Sequence, residues 1–209
     1  MIPMSSNHAR HLADIILGGQ DGLVNVLGLS IGVVGATADP HLVIISGLSA
    51  LFAESISMGA VAYTSSKAEL DTERRAAQEA QMDQAKIEGI LASLQGLEAS
   101  QTRFIRSRLM GAHAPRPDRS TPGSKALKVW LSTMAGSLVP LWPYFFFEVH
   151  LAALLSITSA FFVLFATGAL KAHWTVGSWK RSGLEMLLVG GLAALAGYGI
   201  GLLLRAPLG

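Results

Sequence analysis

His41-Leu-Val-Ile-Ile-Ser-Gly-Leu-Ser-Ala-Leu-Phe-Ala-Glu54-Ser-Ile-Ser-Met58-Gly-Ala-Val-Ala-Tyr63 contains one charged residue in 23 positions. At 1.5 Å of rise per residue a helix of this length spans the roughly 30 Å hydrocarbon core of a bilayer. A carboxylate inside such a segment costs about 2.5 to 3.5 kcal/mol on insertion scales, so it marks an ion path by default. Glu54 is therefore the informative residue, and Met58 lies one helical turn beyond it on the same face.

The rest of the chain has the same character. Of 209 residues 51% are hydrophobic and 14% charged, and the mean hydropathy is +0.45, above what a soluble domain of this length carries. Five stretches are long and apolar enough to span, at about 15–37, 41–63, 127–147, 151–171 and 184–204. The expected fold is an all-α membrane protein of five transmembrane helices. Residues 1–66 carry the first two spans, 67–126 form a helical insertion and basic linker, and 127–209 carry the last three. Asn7-His8-Ala9-Arg10-His11 lacks the pattern of a cleaved signal, so the first span reads as a retained helix. The chain has no cysteine, which excludes disulfides, thiolate metal sites and a cysteine nucleophile.

Lys and Arg sort cleanly across five spans. Arg10, the ten basic residues from Lys67 to Lys125, Lys128, Lys171, Lys180 and Arg181 fall on one side, and Arg205 alone on the other. The positive-inside rule then predicts a cytosolic N-terminus and insertion and a C-terminus on the opposite side.

In the first span Asp21 and Asn25 share a helix face, as Glu54 and Met58 do in the second. Counting residues puts Asp21 about 7 Å, Glu54 about 2 Å and Met58 about 8 Å to the cytosolic side of the bilayer middle, so a tight hairpin would bring the two faces together. Carboxylates are hard oxygen ligands and a thioether is a soft one, a mixture that favours first-row divalent ions such as Fe²⁺ over Mg²⁺ or Ca²⁺. Carboxylates bind a cation when deprotonated, so metal and protons compete, and proton antiport is the natural coupling. Plainer readings stand beside these: Asp21 as the cap of a span starting at Gly22, Glu54 as a hydrogen-bonded lock between helices, Met58 as core packing.

The segment Gly18-Gly19-Gln20-Asp21-Gly22-Leu23-Val24 resembles the Gly-x-x-Asp-Gly-Leu-Val motif of the vacuolar iron transporter family, and Ser57-Met58 with Tyr63-Thr64-Ser65 resembles its Ser-Met-x-x-Gly-Glu-Tyr-x-Ser motif. Gly136, Pro140 and Pro143 in the third span and the Gly-rich fifth span are similar to the family's too. The resemblance implies a homodimer of five-span protomers that moves Fe²⁺, and often Mn²⁺, out of the cytosol in exchange for protons, with Asp21, Glu54 and Met58 lining the path and no permanent cofactor. Where the family has Gly-Glu-Tyr this chain has Val61-Ala62-Tyr63, and Glu54 keeps the carboxylate count of the second span.

The insertion reads as helical from about Ser66 to Met110. Its pairs Glu69 with Glu73 and Glu79 with Asp83, four residues apart, could hold a hydrated divalent ion, or could be no more than a solvated helix face. The basic cluster from Arg103 to Lys125 suits anionic lipid head groups; without interleaved aromatic residues or a reading motif it does not suit nucleic acid. Gly28-Leu29-Ser30-Ile31-Gly32 matches Gly-x-Ser-x-Gly but falls inside a helical span with no histidine at its depth, which argues against an intramembrane hydrolase. Gly28 with Gly32 and Gly197 with Gly201 are small-xxx-small spacings that suit either a dimer or packing within the chain. A non-transporting membrane scaffold or metal sensor is the alternative function.

Overall fold

The computed structural model describes residues 6–37, 39–93, 121–174 and 178–205, and every described element is helical. The helices are α1 (Ser6–Ala36), α2 (Pro40–Ser93), α3 (Pro122–Leu141), α4 (Val149–Trp174) and α5 (Trp179–Leu204), with a short 3-10 helix at Trp142–Phe145 between α3 and α4. The chain divides into two compact units, residues 1–63 with 122–209 and residues 64–121.

In the first unit, α1 and α2 are joined by a reversal of a few residues. Asp39 accepts the backbone N–H of His41 at 2.9 Å and Pro40 opens α2, so the chain turns at an Asp cap followed by a proline whose missing N–H would have had no partner. The structure differs from expectation at two helix ends. α1 begins at Ser6, so Asp21 lies in the middle of a helix and caps nothing. α2 does not stop near Tyr63, because from Thr64 to Ser93 the sequence is rich in Ala, Glu, Gln, Arg and Lys and has no proline and one glycine, Gly89.

α1 packs against α3 near its start and against α5 near its end. Both crossings rest on glycine. A Cβ at Gly136 of α3 would collide with the carbonyl oxygen of Gly19, and one at Gly197 or Gly201 of α5 would collide with the carbonyl of Gly28 or Gly32. The two small-xxx-small pairs therefore face each other within one chain. In a bilayer, where lipid chains are as apolar as leucine, such close backbone approach is a main source of helix association. Apolar clusters fill the rest: Leu23, Leu27 and Ile31 with Ala160, Leu164 and Ala194; Val26 with Leu51 and Leu141; Val43 with Tyr144, Val149 and Ala152. These clusters tie the first third of α2 to α1, α3 and α4.

α3 carries Pro140, which cannot donate to Gly136. Pro143 follows, and the helix tightens into the 3-10 turn, whose end is held by the N–H groups of Phe146 and Phe147 donating to the Pro143 carbonyl at 3.1 and 3.0 Å.

Among the described residues four helices have the length and composition to cross a bilayer: α1, α2, α4 and α5. α3 is shorter, 20 residues, and has Lys125 and Lys128 in its first turns. Large apolar side chains cover the outside of the bundle. On α5 alone Leu188, Leu192, Leu195 and Leu203 are exposed by 60% or more. A continuous apolar surface of this kind is stable against lipid and aggregates in water, so this is an integral membrane protein.

In the second unit the described part of α2 runs to Ser93 and is mostly exposed, with surface ion pairs from Arg74 to Asp71 and from Lys86 to Asp83, each at 3.7 Å. The expected helix from 94 to 110 and the basic linker to residue 120 lie outside the described residues.

Candidate functional site

Asp21 and Asn25 occupy successive turns of α1, and Glu54 lies in the first unit's part of α2. The hairpin brings them together. The Asn25 amide donates through Nδ2 to Oε1 of Glu54 in a short contact and lies 3.4 Å from Oδ1 of Asp21. One side chain thus ties the carboxylates of two antiparallel helices into a single layer.

Asp21 and Glu54 are half-buried, and Asn25 is exposed on the outer face of the bundle. The second carboxylate oxygen of Glu54, Oε2, is buried and has no hydrogen-bond partner. A buried carboxylate oxygen without a donor suits a site that takes up a cation or a proton, since either would satisfy it. Asn25 also lines a groove of about 440 Å³ that follows α1 and α5 past Gly28, Gly32, Gly197 and Gly201. Met58 is half-buried one turn beyond Glu54 on the same unbroken helix, and Ala62, standing where the resembling family carries Glu, is half-buried one turn further.

The acids of the insertion are less gathered. Glu69, Glu79 and Asp83 are exposed and Glu73 half-buried on α2, and Asp83 already pairs with Lys86. Among the described residues no three His, Cys, Asp or Glu side chains come together as a metal cluster. The layer formed by Asp21 and Glu54 therefore has two carboxylates per chain, with the Asn25 amide between them.

Two polar contacts beside the layer were not foreseen. Asp14 pairs with Lys125 at 3.2 Å, with side chains 35% and 11% exposed, linking the start of α1 to the start of α3. The signal was present in the sequence, because Asp14 precedes Asp21 by seven residues, two helical turns along one face. Gln20 donates to the Thr167 hydroxyl at 3.1 Å, joining α1 to α4 beside a cavity of about 300 Å³. Nothing in the spacing of Gln20 pointed to it.

Ser30, the centre of the Gly-x-Ser-x-Gly match, is buried in mid-helix, and its hydroxyl donates to the Val26 carbonyl at 2.6 Å. A serine bound to its own helix one turn back has no nucleophile elbow around it.

Residues 12–202 match the family model of the VIT family. The chain belongs to the VIT family. This VIT-family chain is 30% identical to vacuolar iron transporter 1 of Oryza sativa subsp. japonica over 90% of its own length and 82% of the rice protein. It is 27% identical to vacuolar iron transporter 1 of Arabidopsis thaliana, over 88% and 83% of the two chains. Protein CCC1 of Saccharomyces cerevisiae is 29% identical, over 90% of this chain and 67% of the yeast protein. VIT-family proteins are transporters and not enzymes, in agreement with the placement of Ser30.

Proposed function

We propose that this VIT-family protein carries Fe²⁺, with Mn²⁺ and other first-row divalents as further cargo, out of the cytosol in exchange for protons, through the layer of Asp21, Asn25 and Glu54. The observation that carries the reading is the Asn25 amide bridging two carboxylates from adjacent antiparallel helices, with Oε2 of Glu54 buried and unpartnered beside it. The names of the rice and Arabidopsis relatives support iron as the cargo.

The chemistry follows from the side chains. Asp21 and Glu54 supply anionic oxygens, and the Asn25 amide, turned about its last torsion, offers a neutral carbonyl oxygen in place of its N–H. Met58 adds a soft sulfur one turn away, which a hard Mg²⁺ ion does not use and Fe²⁺ tolerates. A cation leaves when protons take its place on the carboxylates, so acid on the release side drives it forward.

The exposure of Asn25 and the groove beside it support a homodimer. A polar amide facing hydrocarbon is unfavourable, and a second copy laid along α1 would cover it and bring a second pair of carboxylates to the same layer. Five spans fit if the 17 mostly apolar residues from Val129 to Phe145 complete a crossing, which keeps Lys125 and Lys128 on the cytosolic side with the insertion.

The test is Fe²⁺ uptake into proteoliposomes with an imposed pH gradient. Uptake is expected to rise when the lumen is made acidic relative to the metal side, and to vanish in Asp21→Ala and in Glu54→Ala while both variants remain folded. Uptake indifferent to the gradient would remove proton exchange, and undiminished uptake in both variants would remove the site.

A further inference from the structure

On the side of α1 away from Asn25, a cavity of about 640 Å³ opens between α1, α4 and α5. Its walls are mainly apolar, with Ile31, Phe161 and Leu195 among them, and its polar residues are His150, Tyr198 and Arg205. Two of the three meet at one end, and Tyr198 lies two helical turns before Arg205. His150 is the second residue of α4, Arg205 caps the end of α5, and the last turns of α1 reach the same end of the bundle. From His150 to Phe161 the wall descends 11 residues of helix, about 16 Å, which is close to half of a roughly 30 Å hydrocarbon core. The cavity therefore has the depth of one leaflet, a basic residue at its mouth and hydrocarbon below.

Arg205 needs an account of its own. It is the one basic residue on its side of the five-span arrangement, where charge sorting calls for none. Asp39 and Glu148, the acids at this end, do not line the cavity. A planar guanidinium at the membrane interface matches a phosphodiester by paired hydrogen bonds, and His150 at the same end can donate to the same anion.

We infer that this cavity is a binding site for one anionic phospholipid, one of whose acyl chains lies between α1, α4 and α5 and whose phosphate is held by Arg205 with His150. A lipid held there would brace the end of α1, the helix that carries Asp21 and Asn25 lower down. A second protein chain is a poorer occupant, since the opening is a deep slot and not a flat face.

Native mass spectrometry of the full-length protein, delipidated in mild detergent and titrated with phosphatidylglycerol or phosphatidylcholine, tests the inference. The expected result is one tightly retained phosphatidylglycerol per chain and weaker phosphatidylcholine. Arg205→Gln should reduce phosphatidylglycerol retention roughly tenfold and Arg205→Lys less, as loss of a charged hydrogen-bond donor implies. Gly191→Leu, whose Cβ would meet only the Phe161 ring on the cavity wall, at 3.7 Å, fills the slot and should block retention with Arg205 intact. Equal retention of the two lipids, unchanged retention in Arg205→Gln, displacement by inorganic phosphate alone, or a slot closed by a second copy of the chain would each overturn it. Because Arg205 and Gly191 are remote from Asp21 and Glu54 in sequence and in the helices they occupy, a negative result here leaves the transport site untouched.

Discussion

At the scale of single residues, the division of labour in the acidic layer is chemical. Asn25 links the carboxylates of Asp21 and Glu54 and carries no charge itself, so in the proposed site it sets geometry while the acids set affinity. In the proposed mechanism Met58 sets the preference between ions. Met58→Leu keeps the volume and removes the sulfur, so iron flux should fall by less than about threefold while discrimination against Mg²⁺ weakens clearly; competition assays with both ions measure this, and an unchanged ion profile would deny the thioether a role. Much of the layer was legible because charge is rare in these spans: Asp21 and Glu54 stand out against the apolar residues around them. Asn25 was visible only as a neighbour on the Asp21 face, since an amide announces no partner, and which acid it would hold depended on the register of the hairpin.

At the scale of helices, stability is concentrated where backbones touch. Gly136→Val would force α3 away from Gly19, and overpacking of this kind costs roughly 1–3 kcal/mol or more. Its melting temperature in detergent should fall well below that of Gly123→Val, where a Cβ meets nothing within 4 Å. The pair of Asp14 with Lys125 is neither fully buried nor fully exposed, so Lys125→Ala should cost about 1–2 kcal/mol, between surface and buried values. A double-mutant cycle with Asp14→Asn reads the coupling directly, and additive effects would mean that the pair contributes nothing.

The positions of the long helices could be read from apolar length, but their ends could not. α2 passes Tyr63 without a break because its polar continuation is as good a helix former as its apolar start, and hydropathy reports the solvent a helix faces and not where it stops. The glycine pairs showed that helices come close without showing which. Gly28 and Gly32 meet Gly197 and Gly201, residues 169 positions apart in the chain (28 to 197 and 32 to 201), a pairing set by tertiary packing alone.

At the scale of the whole molecule, the asymmetric distribution of Lys and Arg makes a topological prediction that the absence of cysteine makes easy to test. A single cysteine at Gln81 and, separately, at Gly209 should react with a membrane-impermeant maleimide from opposite sides of sealed vesicles. Labelling from the same side would rule out an odd number of spans. Lowering the pH on the metal-loading side should weaken metal uptake, because the carboxylates of Asp21 and Glu54 then hold protons in the cation's place.

The central claim is that Glu54 acts as a charge and not only as a hydrogen-bonding lock between α1 and α2. Glu54→Gln separates the two, because it keeps the side chain's length and its amide oxygen can still accept from Asn25, while the negative charge is gone. Initial rates of Fe²⁺ uptake into proteoliposomes, with equal amounts of folded wild-type and Glu54→Gln protein, should differ by at least about tenfold, as the loss of one anionic ligand to a partly dehydrated cation implies. Wild-type rates in Glu54→Gln would contradict the account and leave Asp21, Asn25 and Glu54 as a structural clasp.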